Sequence, residues 1–338
     1  MKLLAFLKNH WIELGLAFAA VAALQLVFLA GTFQGDHIDS HKAADLGQFL
    51  SGYAGTIILI FSVAALAIQL RNQIATNRLT SFESRFFELL GYHRENVTEI
   101  GIGSDKFGRR VFVSLIREFR QALGIVDQAC LATEPEYSRQ LRLDLAYMSF
   151  YYGVGPNSTR LLRDYVDHHP KHLVNEVIRR LETIQSDYRS LDRYCSDPRR
   201  SENELADGLA RKSQLTRLSY CPFDGHQSRL GHYYRHLYQL VKYLDSHAPP
   251  GTASAYADMV RAQLTNHEQA LLCLNALAPI GEAWIKEGYL IKYSLIKNIP
   301  KSFFDKKTEL DLQSQFPGII FEFMPDKDRK LEPNRSPR

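Results

Sequence analysis

The chain has no pair of cysteines at C-x-x-C spacing. Its four cysteines, Cys130, Cys195, Cys221 and Cys273, stand far apart. That spacing argues against a zinc site built on close ligand pairs and reads as free thiols in a reducing compartment. The chain also lacks an excess of either charge. Its 41 basic and 37 acidic residues leave a net +4, too balanced for a nucleic-acid binder. No stretch shows repeated strand-length alternation, which leaves an all-α reading. The glycine-rich loop Gly101–Gly108 lacks the G-K-[ST] ending of a phosphate loop and follows a helical pattern rather than a strand. It reads as a helix terminator and turn.

What the chain does have is two long apolar runs close together. Residues 49–70 carry no charge, and that is the length needed to cross a bilayer as a helix. Residues 11–33 form an earlier run with only Glu13 near its start. A cleaved signal peptide behind Lys2 and Lys8 is one alternative for this run, but its apolar stretch is longer than the usual core of about 7–15 residues. Two core helices of a soluble protein are another. A two-span transmembrane helical hairpin over residues 1–70 explains both runs. Lys2 and Lys8 precede the first span, and Arg71, Arg78 and Arg85 follow the second. The loop Gln34–Gln48 holds Asp36, Asp39 and Asp45 against Lys42. The positive-inside rule then places both ends in the cytoplasm and the loop outside.

Residues 71–324 read as a helical cytoplasmic domain. One long helix, or two nearly collinear ones, leaves the second span, and Phe82, Phe86, Leu89, Leu90, Val97 and Ile100 form its apolar stripe. Helices are expected over Arg109–Ala129, Pro135–Tyr152, a short piece capped by Ser158, and Lys171–Tyr194. His168-His169-Pro170 reads as a turn, and adjacent histidines on a regular element do not face one another, so no metal site is expected there. Residues 196–222 are the least patterned, and a sub-boundary between two helical halves is expected near 196–227. Further helices are expected from Ser228, as one unbroken element over Ala253–Ala278, and over Glu282–Asn298. Phe316–Phe323 reads as a short strand or a packed extended segment, and 325–338 as a disordered tail.

Three stretches carry a resemblance. They are Ser81–Val97, with His93 and Asn96; Gly231–Asp245, with His232 and Arg235; and Tyr256–Glu268, with Gln263 and His267, followed by Lys292–Ile299. In that order they resemble the phage abortive infection proteins of bacteria, a family that also begins with two hydrophobic segments. His267 stands where an aromatic residue is more usual. The resemblance implies phage defence: sensing infection, then arresting the host. It implies no established catalytic set.

On a helix at 100° per residue His93 falls between Phe82 and Phe86, and His267 between Tyr256 and Val260. Polar groups on apolar faces must be hydrogen-bonded or line a pocket. His93, Asn96, His232, Arg235, Gln263, His267 and Glu268 are therefore the candidates for a pocket, with Arg235 or Arg261 near some of them. Three functions are open. The first is a membrane-anchored effector that acts by assembly or membrane disruption, which implies a homo-oligomer and a phage or host protein as trigger. The second is a ribonuclease similar to the HEPN type, with Arg261 and His267 as its weak catalytic candidates. These two side chains would point about 120° apart on an ideal helix. The third is a non-catalytic scaffold holding a defence partner at the membrane. No cofactor and no metal are expected.

Overall fold

The computed structural model describes residues 26, 33–34, 37–103, 105–133 and 136–325. It divides into two units, Met1–Thr80 and Ser81–Arg338. The first apolar run lies outside the described residues except for Leu26 and Phe33, and so does the tail beyond Pro325. Among the described residues the architecture is all-α, with two antiparallel ladders of two-residue strands.

In the first unit, β1 (Phe33–Gln34) pairs with β2 (His37–Ile38). Helix α1 then spans Ser40–Phe49. The sequence suggested a loop here. Instead Asp39 Oδ1 accepts the amide protons of His41 at 3.0 Å and Lys42 at 3.3 Å, satisfying the first orphan donors of a helix. A π-helical turn, Leu50–Ala54, leads into α2, Gly55–Glu99, whose 45 residues make it about 68 Å long. From Ser40 to Glu99 the helical stretch is long and apolar enough to cross a membrane.

In the second unit, the far end of α2 buries Phe82, Phe86, Leu90, His93 and Val97 on one face. Phe82 meets the ring of Tyr256 edge-on at 4.9 Å and stacks on Tyr243 at 5.7 Å. Strands β3 (Gly101–Ile102) and β4 (Lys106–Phe107) turn the chain into α3, Arg109–Thr133. This is the central helix of the unit. It buries thirteen side chains, from Val111 to Cys130, and packs most extensively on α4 (Arg139–Tyr152) and on α6 (Lys171–Cys195). Between these two lies α5, Ser158–Tyr165. Ser158 begins that helix rather than capping it. Asn157 stands at the cap without a side-chain bond, and the Thr159 hydroxyl takes the Gly155 N–H at 2.9 Å.

The stretch after α6 is more ordered than its composition suggested. Helix α7, Glu202–Leu215, starts on a capping box between Ser201 and Glu204 and packs on α6. Helix α8 spans Gln227–His247. The expected single helix over Ala253–Ala278 is two: α9, Ala253–Gln263, and α10, Asn266–Leu277. Leu264 leaves helical geometry at φ −91° and ψ 121°, and a second capping box, Thr265 with Glu268, starts α10. The helix expected over Glu282–Asn298 is also broken. Gly288 adopts φ +69°, a left-handed conformation that stops a helix, and only the short turns α11 (Ala283–Lys286) and α12 (Tyr289–Lys292) form. After a last short helix, α13 (Leu312–Gln315), residues 316–323 form packed turns rather than a strand or an extended segment, with Ile319 N–H on the Phe316 carbonyl at 3.0 Å and Phe316, Ile319 and Phe321 buried. The four cysteines are free.

Candidate functional site

The segments singled out in the sequence converge beside the start of α3. His93 is supplied by α2 and is 1% exposed. Its ring lies 5.1 Å from that of Tyr233 on α8. The Tyr233 hydroxyl donates to Glu268 Oε1 at 3.4 Å, and Glu268 is fully buried at the first turn of α10. Arg109 closes the group. Its guanidinium donates to the Gln263 carbonyl at 2.8 Å and lies 4.0 Å from Glu268 Oε2. His93, Arg109 and Gln263 border a hollow of about 180 Å³, together with Val97 and Thr98.

Two features set this centre apart from an ordinary core. First, both ring nitrogens of His93 are buried without a hydrogen-bond partner, and so is Asn96 Nδ2 one turn further along α2. A buried polar group left unpaired costs about 1–3 kcal/mol. Second, burial, reinforced by the nearby charges of His236 and Arg109, pushes the His93 imidazole down to about 4. It is therefore neutral at physiological pH, with one donor and one acceptor both left unpaired. Burial and the Glu268 charge push the Tyr233 hydroxyl well up, so it stays a donor.

The other expected site residues lie elsewhere. His232 and Arg235 are exposed. His267 is half-buried against the Phe303 ring at 5.1 Å, and its imidazole is pushed down by burial and by Arg120 and Arg117. Arg261 is held by Asp258 at 2.7 Å and by the Tyr293 carbonyl at 3.3 Å. The break at Leu264 puts Arg261 on α9 and His267 on α10, so the helical spacing behind a ribonuclease reading does not exist in the folded chain.

A second buried polar centre was missed in the sequence. Glu118, fully buried on α3, accepts the Tyr220 hydroxyl at 2.6 Å, the Phe223 N–H at 2.7 Å and His226 Nε2 at 2.9 Å. Burial alone would raise its carboxyl. The His226 charge and these donors outweigh it and hold the group below the usual carboxylate range. Phe223 takes φ +62°, a strained conformation for a bulky residue. The loop is clamped by Val154 N–H to the Phe223 carbonyl at 2.8 Å and His226 N–H to the Tyr151 carbonyl at 2.7 Å. A polar cavity of about 410 Å³ opens beside it, walled by Arg189, Cys221, Asp224 and Arg229 among others. Cys221 is not an activated nucleophile there, because burial and Asp224 push its thiol up. His226 is a strut rather than a free base, since its second ring nitrogen faces the Arg229 guanidinium at 3.4 Å. The signal for Glu118 was present: a lone carboxylate amid Leu115, Ile116 and Phe119 on an apolar stripe.

Residues 225–304 match the family described as putative phage abortive infection protein. The matched segment contains the second and third stretches that carried the resemblance and leaves Ser81–Val97 outside it. The match covers about a quarter of the chain. It holds Tyr233, Gln263 and Glu268 of the first centre and His226 and Arg229 of the second. No curated protein and no solved structure matches the chain.

Proposed function

We propose that this abortive infection protein is an antiphage effector anchored in the bacterial inner membrane by a hairpin over residues 1–70, with spans of about 11–33 and 49–70. Its N-terminus and residues 71–324 face the cytoplasm. Copies of the chain act together, by assembly or by disrupting the membrane, once a phage or host protein triggers them. The observation that supports the anchor is the distribution of side chains on α2. Ile57, Ile58, Leu59, Ile60, Phe61, Val63, Leu66, Ile68 and Leu70 are all exposed, from 39% at Ile57 to 71% at Phe61. At 100° per residue they point in every direction around the helix, leaving no polar face for water. Moving nine such side chains into an apolar surrounding favours insertion by on the order of 20 kcal/mol. The support for a non-catalytic output is the buried chemistry. Glu118, Glu268, His226 and Tyr233 are tied to one another or to the backbone.

The test is phage plating on cells carrying this gene alone, with host membrane potential followed through infection. Reduced plating together with a collapse of the potential is expected. Arrested cells that keep their potential would refute the membrane mechanism. Alkaline phosphatase fused after Asp39 should be active, and fused after Arg78 inactive. The reverse pattern would overturn the topology.

A further inference from the structure

A third polar cluster takes no part in either centre. It joins Asp144 on α4 to the turn between α5 and α6. His168 Nε2 and His169 Nε2 lie 3.2 Å and 2.7 Å from the same oxygen, Asp144 Oδ2. Adjacent histidines cannot converge on a helix or strand, but here they sit in a turn closed by His169 N–H on the Val166 carbonyl at 2.9 Å. Their rings are 4.0 Å apart. The other carboxylate oxygen, Asp144 Oδ1, is buried and has no hydrogen-bond partner.

From this arrangement we infer that Asp144, His168 and His169 bind a divalent transition-metal cation of the zinc class. One carboxylate and two imidazoles are a donor set suited to such ions. One ligand atom from each of the three residues lies within 4.8 Å of the others. Around a zinc ion with bonds of about 2.0–2.1 Å, tetrahedral ligand atoms sit about 3.3 Å apart, so both nitrogen–oxygen separations need to open by less than about 1 Å. Each imidazole would turn its Nε2 lone pair to the ion in the Nδ1–H tautomer. Coordination through both carboxylate oxygens would also engage Asp144 Oδ1, the oxygen that serves neither ring. Asp144 and His169 are buried, with side chains 8% and 7% exposed, so two of the ligands are held by packing. The His168 side chain is 54% exposed, which leaves the site open to an ion arriving from solvent.

The test uses the full chain in detergent, stripped with a chelator and titrated with Zn²⁺ and with Co²⁺, whose visible absorption reports coordination. The wild type should bind one equivalent, give the absorption of low-coordinate cobalt, and melt at a higher temperature when loaded. His168→Ala removes an exposed ring and should melt normally in chelator, yet bind at least tenfold more weakly, no less than the about 10–100-fold that loss of a mere supporting partner costs. Asp144→Asn should also lose binding. His172→Ala, a neighbouring histidine bonded to Tyr137 at 2.8 Å, should leave it unchanged. Wild-type binding no tighter than that of His168→Ala, or no binding at all, would overturn the assignment.

Discussion

Replacing His93 with leucine separates what the first centre does for stability from what it does for function. Burial and two nearby cationic side chains push the His93 imidazole from 6.5 down to about 4. The unfolded chain therefore takes up this proton near pH 6.5, while the folded chain resists it to about pH 4. Between these values the unfolded state binds more protons, so stability falls as pH drops and is fully present above pH 6.5. At about 1.4 kcal/mol per pH decade, His93 contributes a loss of about 2 kcal/mol by pH 5 and about 3 kcal/mol by pH 4. Leucine fills a similar volume and removes two unpaired buried nitrogens. His93→Leu should be as stable as the wild type at pH 7, or more so by about 1 kcal/mol. It should lack the wild type's extra destabilisation at pH 5. Urea unfolding of the full chain in detergent at both pH values can follow the fluorescence of Trp284, which is buried edge-on to Tyr238 at 5.2 Å. Equal pH dependence in the two proteins would refute a neutral, buried His93. In plating assays the variant should lose protection despite its stability. Retained protection would reduce His93 to a packing residue.

Two further outcomes follow from the second centre. Glu118→Ala strands His226, the Tyr220 hydroxyl and the Phe223 N–H in the core, and should cost about 3–5 kcal/mol in urea unfolding; a loss under about 1 kcal/mol would show that the network is dispensable. Gly225→Ala sets a methyl 2.2 Å from the Tyr152 carbonyl oxygen at φ +85° and should cost at least about 2 kcal/mol, whereas Gly251→Ala, at φ +80° with nothing within 4 Å, should cost only about 1 kcal/mol. Equal losses in the two alanine variants would mean that backbone conformation, not the clash with α4, sets the cost.

The long periodic elements were legible because their signal is summed over many residues. The stripe on α2 placed His93 inward by angle alone, and α3, α6 and α8 fall close to their expected limits. The breaks were harder. The bend between α9 and α10 contains neither glycine nor proline, so hydrophobic periodicity runs across it unaltered. Its mark is Thr265-x-x-Glu268, and the same pattern at Ser201-x-x-Glu204 marks α7 in a stretch that composition assigned to loop. Reading through that bend placed His267 on the buried face of one helix, whereas it is half-buried on a second helix that starts after the bend. Glu118 was overlooked for a different reason. One charge on an apolar stripe is visible in the sequence, but its partners come from residues 220–226, and nothing local specifies that pairing. The convergence of His168 and His169 on Asp144 was not visible in the sequence, because the turn that holds them meets a carboxylate more than twenty residues earlier in the chain.

The limits of the family match are not the limits of a folding unit. Within residues 225–304 the polar interior is completed by groups from outside it. Tyr233 packs at a tilt against the rings of His93 and Phe112, His226 bonds Glu118, and Arg229 donates to the Gly101 carbonyl at 2.8 Å. Glu268 satisfies its own helix start within the segment, yet the cation near it, Arg109, comes from α3. Cut at these limits, the segment would leave His226 without its carboxylate and would expose Leu230, Tyr233, Leu237 and Leu244, all of them fully buried in the intact chain. Each large apolar side chain returned to water forfeits about 1.5–3 kcal/mol, against a net stability of only about 5–15 kcal/mol for a whole domain. The matched segment therefore depends on α2 and α3 for its core. Any ligand or partner that supplies the missing bonds of His93 acts on a helix continuous with the apolar stretch from Ile57 to Leu70.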